Sequence, residues 1–162
     1  MDEDNRDYTD AVAFPDELQL RPIAVVRSPY TQRHGTPRQP GFNNADAALA
    51  TIELLDHVDA AALKDLEEFD HIWLVSWFHL NGPRLKPLVK PPRGGPKRGV
   101  LSTRSPHRPN PIGLTAVRLL SVDGRAIRVQ GVDLIDGTPI LDIKPYIPDF
   151  DSIKNAGDGW LS

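Results

Sequence analysis

Between Thr103 and Gly113 the chain reads T-R-S-P-H-R-P-N-P-I-G, and no helix can be built from it. Pro106, Pro109 and Pro111 have φ locked and lack a backbone donor. Ser105, Arg108 and Asn110 each precede a proline, which pushes them out of the helical basin. The stretch is therefore stiff and extended. Arg104, His107, Arg108 and Asn110 lie on a backbone that has lost most of its freedom before any ligand arrives, as a binding site requires.

Proline recurs throughout. Sixteen prolines and 12 glycines in 162 residues predict strands, turns and loops rather than long helices, and the length suits one domain around one core. The absence of cysteine excludes disulfides, thiolate nucleophiles and cysteine-held metals. No apolar run approaches the roughly 20 residues of a membrane span. The N-terminus, M-D-E-D-N-R-D, is acidic rather than basic. Neither anchor nor signal peptide is predicted, and the cytoplasm is the expected location.

A net charge of −3 conceals segregation. Residues 1–19 hold seven acids against Arg6, a balance of −6, which leaves +3 on the remainder. No acid occurs between Asp70 and Asp123, whereas that interval carries nine Lys or Arg residues. A cluster of one sign attracts phosphate or carboxylate partners. Residues 1–17 read as a mobile acidic extension and residues 18–162 as the folded domain.

Alternation predicts strands over residues 20–27, 71–80, 100–103, 114–122, 126–132 and 140–143, and residues 45–55 read as strand in preference to helix. Residues 71–80 are the predicted central strand, with both faces largely buried. Asp59 is placed to cap one short helix over residues 60–68, and Asp123-Gly124 and Asp136-Gly137 are turn signals. Many short strands with one small helix predict an antiparallel β-barrel or curled sheet.

Several familiar constellations fail. R-G-G-P-K-R-G at residues 93–99 matches neither phosphate-loop template, and a flexible loop is the better reading. Five histidines show no close metal-ligand spacing, so no metal site is predicted. Ser102 and Ser105 lie near His107 without the G-x-S-x-G elbow of a hydrolase. What remains are polar loops at residues 33–41, 84–98 and 104–113, the D-L-I-D-G-T-P turn at 133–139, and Asp142 with Lys144 on one strand face.

T-R-S-P-H-R-P-N-P-I-G, D-L-I-D-G-T-P at 133–139 and D-I-K-P-Y at 142–146 together resemble the TsaA-like family. P-R-Q-P-G at 37–41 and W-L-V-S-W-F-H at 73–79 follow the same order. The resemblance runs from about residue 20 onward. It implies a single-sheeted antiparallel β-barrel that works as a homodimer and binds S-adenosylmethionine. It also implies the reaction, methyl transfer to N6 of threonylcarbamoyladenosine beside the anticodon of tRNA.

Carried over by position, the resemblance puts Pro37, Arg38, Gln39, His79, Arg104, Leu114, Asp133, Leu134, Ile135 and Asp136 around the cofactor. An arginine, Arg38 or Arg104, suits the cofactor's carboxylate, and the 133–136 turn its adenine or ribose. The acceptor nitrogen must lose a proton, for which His107, Asp133 and Asp136 are the candidates. Lys90, Arg93, Lys97 and Arg98 in the basic loop, with Arg108, Asn110, Lys144 and Tyr146, are the candidate RNA contacts. The alternatives are a non-catalytic module that binds S-adenosylmethionine, or methylation of another RNA or small acceptor.

Overall fold

The computed structural model describes residues 15–38, 48–82, 86–92 and 94–161. Most of the acidic extension, together with Gln39 and Arg93, lies outside them.

Six strands close into an antiparallel barrel. They are β1 (Ala24–Arg27), β2 (Leu49–Leu54), β3 (His71–Trp77), β6 (Ile112–Asp123), β7 (Ala126–Gln130) and β8 (Pro139–Pro145). The order around the barrel is β1-β2-β7-β6-β3-β8, and pairing of Ala24 with Ile140 closes the ring. Closure removes the free edges that an open sheet would expose. A separate two-stranded ribbon, β4 (Leu88–Val89) with β5 (Arg98–Gly99), carries the basic segment.

Alternation along each strand decides what fills the interior. Val26, Ile52, Ile72, Leu74, Val117, Ile127, Val129 and Ile140 point inward and are buried. Each such side chain contributes about 1.5–3 kcal/mol relative to exposure. β6 is long enough to serve two neighbours. Residues 112–118 pair with β3 and residues 118–123 with β7, and the register shifts between Leu119 and Ser121. A bulge of this kind bends a strand, as a closing barrel needs.

The Asp123-Gly124 hairpin forms, with Gly124 at φ 57°. Arg125, next in the chain, donates through Nη2 to the carbonyls of Leu55 and of Val58, the latter at 2.8 Å, and ties the β2–β3 connection to the barrel.

Four expectations need correction. Asp59 does cap a helical start, accepting from the Ala61 amide at 2.9 Å. The predicted single helix, however, is two 3-10 turns, Ala60–Leu63 and Leu66–Glu68, because Asp65 takes a left-handed φ of 62° between them. The only α-helix among the described residues is the single turn α1 (Pro148–Asp151). Residues 100–103 form no strand: Val100–Ser102 is a 3-10 turn. There Ser102 Oγ and Thr103 Oγ1 donate to the Gly99 and Val100 carbonyls, both at 2.8 Å, and so compete with a ladder. The first strand starts only at Ala24, after Pro22, which has no donor to give. Finally, β3 ends at Trp77 and its outer face is not core: Trp73 is half-buried against Tyr146 at 5.3 Å and Trp77 is exposed.

Candidate active site at the mouth of the barrel

The proline-rich segment leads from the 3-10 turn at Val100–Ser102 into β6 and is wired to itself. Thr103 Oγ1 accepts from the Ser105 amide at 3.2 Å, Ser105 Oγ from the His107 amide at 3.4 Å, and Arg108 Nη1 donates to the Thr103 carbonyl at 3.1 Å. Arg108 is thus spent in part on holding the loop. At the far end, the Phe78 amide donates to the Pro111 carbonyl at 2.8 Å. A Cβ on Gly113 would lie 2.5 Å from Phe78 Cζ and 2.5 Å from Ser76 Oγ, so only glycine lets the segment enter β6 this close to β3.

The turn after β7 is held as firmly. Ser28 Oγ donates to the Leu134 carbonyl at 2.7 Å, the Ser28 amide to Asp136 Oδ1 at 3.1 Å, and the Asp136 amide to the Tyr30 carbonyl at 2.7 Å. Thr138 Oγ1 closes the turn onto the Ile135 carbonyl at 2.6 Å. These bonds fasten residues 133–138 to the loop that begins at Ser28 and carries Arg33, Pro37 and Arg38. Asp136 is therefore employed as a structural acceptor. Pro37 is buried and Arg38 exposed.

Asp133 differs. It accepts from Thr115 Oγ1 at 2.8 Å. Burial pushes its carboxyl above the ordinary carboxylate value, against the opposing pull of Thr115, of its own backbone and of the nearby Arg104 guanidinium. Arg104 of the stiff segment and Asp133 of the turn therefore face each other electrostatically. His107 is held below the ordinary imidazole value, first by burial and then by Lys86 and Arg33, and its Nδ1 is buried without a hydrogen-bond partner among the described residues. Four segments, around Arg33, Lys86, residues 104–107 and Asp133, thus converge at one end of the barrel.

The remaining predicted residues spread outward. Leu114 lies across the β6 wall from Thr115 and is 60% exposed, beside Ile112 at 40% and Trp77 at 43%. His79 sits in the 3-10 turn His79–Asn81, its ring 6.2 Å from that of Trp77. Lys90, Lys97 and Asn110 are exposed. Lys144 pairs with Asp142 at 2.8 Å, as their shared face suggests, and Tyr146 packs against Trp73 and His71. Arg98 lies over the Trp160 ring, 5.2 Å from its centroid.

Sequence reasoning missed Thr115, Ser28 and Trp160. Thr115 had a signal: it is the polar residue in the inward series Gly113, Thr115, Val117, Leu119. Ser28 and Trp160 act through contacts 106 and 58 residues away in the chain, which no local pattern reveals.

A closed antiparallel barrel in which a half-buried carboxylate of one turn is opposed by an arginine of a stiff loop is the class of fold and candidate site that the chain presents. The chain belongs to the family described as tRNA-methyltransferase O N-terminal domain, whose model matches residues 25–152. It is 48% identical over 141 residues to a tRNA (adenine(37)-N6)-methyltransferase of Mus musculus, covering 85% of this chain and 33% of that one. It is 45% identical over 139 residues to a probable S-adenosyl-L-methionine-binding protein of Methanothermobacter thermautotrophicus, covering 85% and 96%. A solved structure titled crystal structure of TrmO from Pseudomonas aeruginosa superposes with a TM-score of 0.74 at 39% identity, over 89% of this chain and 62% of that one. The chain spans about a third of the length of the mouse relative.

Proposed function

We propose that the protein is an S-adenosylmethionine-dependent methyltransferase acting on N6 of threonylcarbamoyladenosine beside the tRNA anticodon. The observation that carries this reading is the half-buried Asp133 carboxylate, anchored by Thr115 and opposed by Arg104. The names of the relatives support both the cofactor and the tRNA acceptor.

The residues at the mouth fit such a cofactor. Its carboxylate matches a guanidinium, its sulfonium tolerates a neighbouring carboxylate, and its adenine can be read by the backbone groups of a fixed turn. Arg104 and Arg38 are the cationic groups for the carboxylate, and Asp133, Leu134, Ile135 and Asp136 form the turn. When bound, S-adenosylmethionine supplies an activated methyl group for in-line displacement, which alignment alone can accelerate strongly. Asp133 takes the N6 proton of the acceptor. Its raised proton affinity makes it a better base than a solvated aspartate, and the hydrogen bond from Thr115 holds one carboxylate oxygen in place. His107, whose imidazole burial and the nearby Lys86 and Arg33 push below the ordinary value, is the second candidate acceptor. Lys86, Lys90 and Lys97 hold phosphates at the rim.

Two copies complete the site. The exposed strip of Trp77, Ile112 and Leu114 adjoins the mouth, and a homodimer covering it would bring Leu114 and His79 into an enclosed pocket. Incubation with methyl-labelled S-adenosylmethionine and tRNA bearing threonylcarbamoyladenosine tests the reading. Label appears in the tRNA if it holds. Calorimetric binding of the cofactor with no transfer to any RNA would instead mark a non-catalytic binding module.

A further inference from the structure

Outside the mouth, the most specific contact that the proposed reaction leaves unexplained is made by Trp160. Its indole Nε1 donates to the Ser102 carbonyl at 2.9 Å, and the Arg98 guanidinium lies 5.2 Å from its ring centroid. Trp160 is no part of the barrel core. It sits instead on the joint between the basic ribbon and the proline-rich segment. Arg98 belongs to β5, paired with Val89, and the Val100 amide donates to the Pro87 carbonyl at 2.9 Å. Ser102 lies two residues before Arg104.

Arg98 is unusual among the rim cations. Its Nε is buried without a hydrogen-bond partner among the described residues, and it forms no ion pair there. An aromatic ring against one face of a guanidinium fixes the plane of the fork without occupying its Nη donors. Those donors are what a phosphate would take in a bidentate grip. The lysines of the rim are compact charges on flexible stems and have no comparable restraint.

Resting on the proposed reaction, we infer that Trp160 is a positioning residue for the RNA: it locks Arg98 as a rigid phosphate donor. The two contacts separate cleanly. The ring acts on Arg98 and therefore on RNA binding, while the indole donor only joins the Gly159–Leu161 turn to the Ser102 backbone.

The test measures methyl transfer to tRNA and equilibrium tRNA binding across a salt series with the full chain. Trp160→Ala is expected to raise KM for tRNA about tenfold, a cation–π restraint lost together with one phosphate contact, leaving kcat within about twofold. The slope of log affinity against log salt should shrink by about 0.7, one single-strand phosphate. Trp160→Phe keeps a ring beneath Arg98 and should restore the slope. Arg98→Ala should match Trp160→Ala, and the double variant should lose no more than either. The melting temperature is expected to stay put in all of them.

Unchanged salt slope in Trp160→Ala, in a wild type that methylates tRNA, overturns the inference alone. So does a parallel fall of kcat, cofactor affinity and melting temperature that Phe does not rescue, since that describes plain structural support. A wild type that neither methylates nor binds tRNA overturns the proposed reaction, and the inference with it.

Discussion

Thr115 Oγ1 lies 2.8 Å from Asp133 Oδ1, a hydrogen bond from the inner face of β6 to the turn that follows β7. The donor is buried and the acceptor half-buried, so the bond fixes a carboxylate where water competes poorly.

Because burial outweighs Thr115 and Arg104, the folded chain holds the Asp133 proton above the ordinary value of 3.8. The sign follows directly: this group's contribution to stability falls as pH rises from the ordinary value through the raised one. The deprotonated form, which the proposed role as base requires, appears only above the raised value. The acid limb of the kcat–pH profile is therefore expected above the ordinary aspartate range, and Thr115→Val should move it further up. Asp133→Asn should lower kcat by about 10²–10⁴-fold. A profile unmoved by Thr115→Val would take Asp133 out of the role of base.

Arg104 is exposed and makes no hydrogen bond or ion pair with the described residues. Arg104→Ala should therefore cost about 10- to 100-fold in S-adenosylmethionine affinity, the value of a charge-assisted contact, without altering thermal unfolding. Calorimetry beside a melting curve decides it.

Gly113 and Ser76 make a paired prediction. Gly113→Ala forces a Cβ against Phe78 and Ser76 and should destabilise by about 1–3 kcal/mol in urea unfolding. Ser76 Oγ is fully buried and without a hydrogen-bond partner among the described residues, so Ser76→Ala removes an unsatisfied group and should be neutral or stabilising. A large loss in Ser76→Ala would mean that its hydroxyl is satisfied in solution.

Neighbours on β3 should differ sharply. Ile72 is fully buried inside the barrel, whereas Trp73 lies on the outer wall against Tyr146. Ile72→Ala is expected to cost about 2–5 kcal/mol. Trp73→Ala should cost less despite the larger side chain, and equal losses would contradict the inside-out assignment.

That pair also shows what the sequence could and could not disclose. Period-two alternation located the strands and put Ile72, Leu74 and Val117 on one face, because burial on one side of a strand leaves that imprint. It could not show that the other face of β3 is outer wall, since Trp73, Val75 and Trp77 are as apolar as a core. The two turns with Asp-Gly were legible for their left-handed φ. The break at Asp65 and the hydroxyl-closed turn at Val100–Ser102 were not, because each depends on local hydrogen bonds that compete with regular structure. At the site, proline and arginine marked the rim, and the D-L-I-D-G-T-P turn marked the acids. Asp133 and Asp136 separate only in three dimensions: one is given Ser28 to hold, the other Thr115 and a place out of water.

The most direct test digests tRNA after incubation with S-adenosylmethionine and either the wild-type chain or Asp133→Asn, and resolves the nucleosides by mass spectrometry. One added methyl on N6 of threonylcarbamoyladenosine is expected with the wild type, and almost none with Asp133→Asn at saturating cofactor, with the melting temperature of the variant close to wild type. Equal methylation by both proteins, or a wild type that binds the cofactor and leaves every nucleoside unchanged, would contradict this expectation.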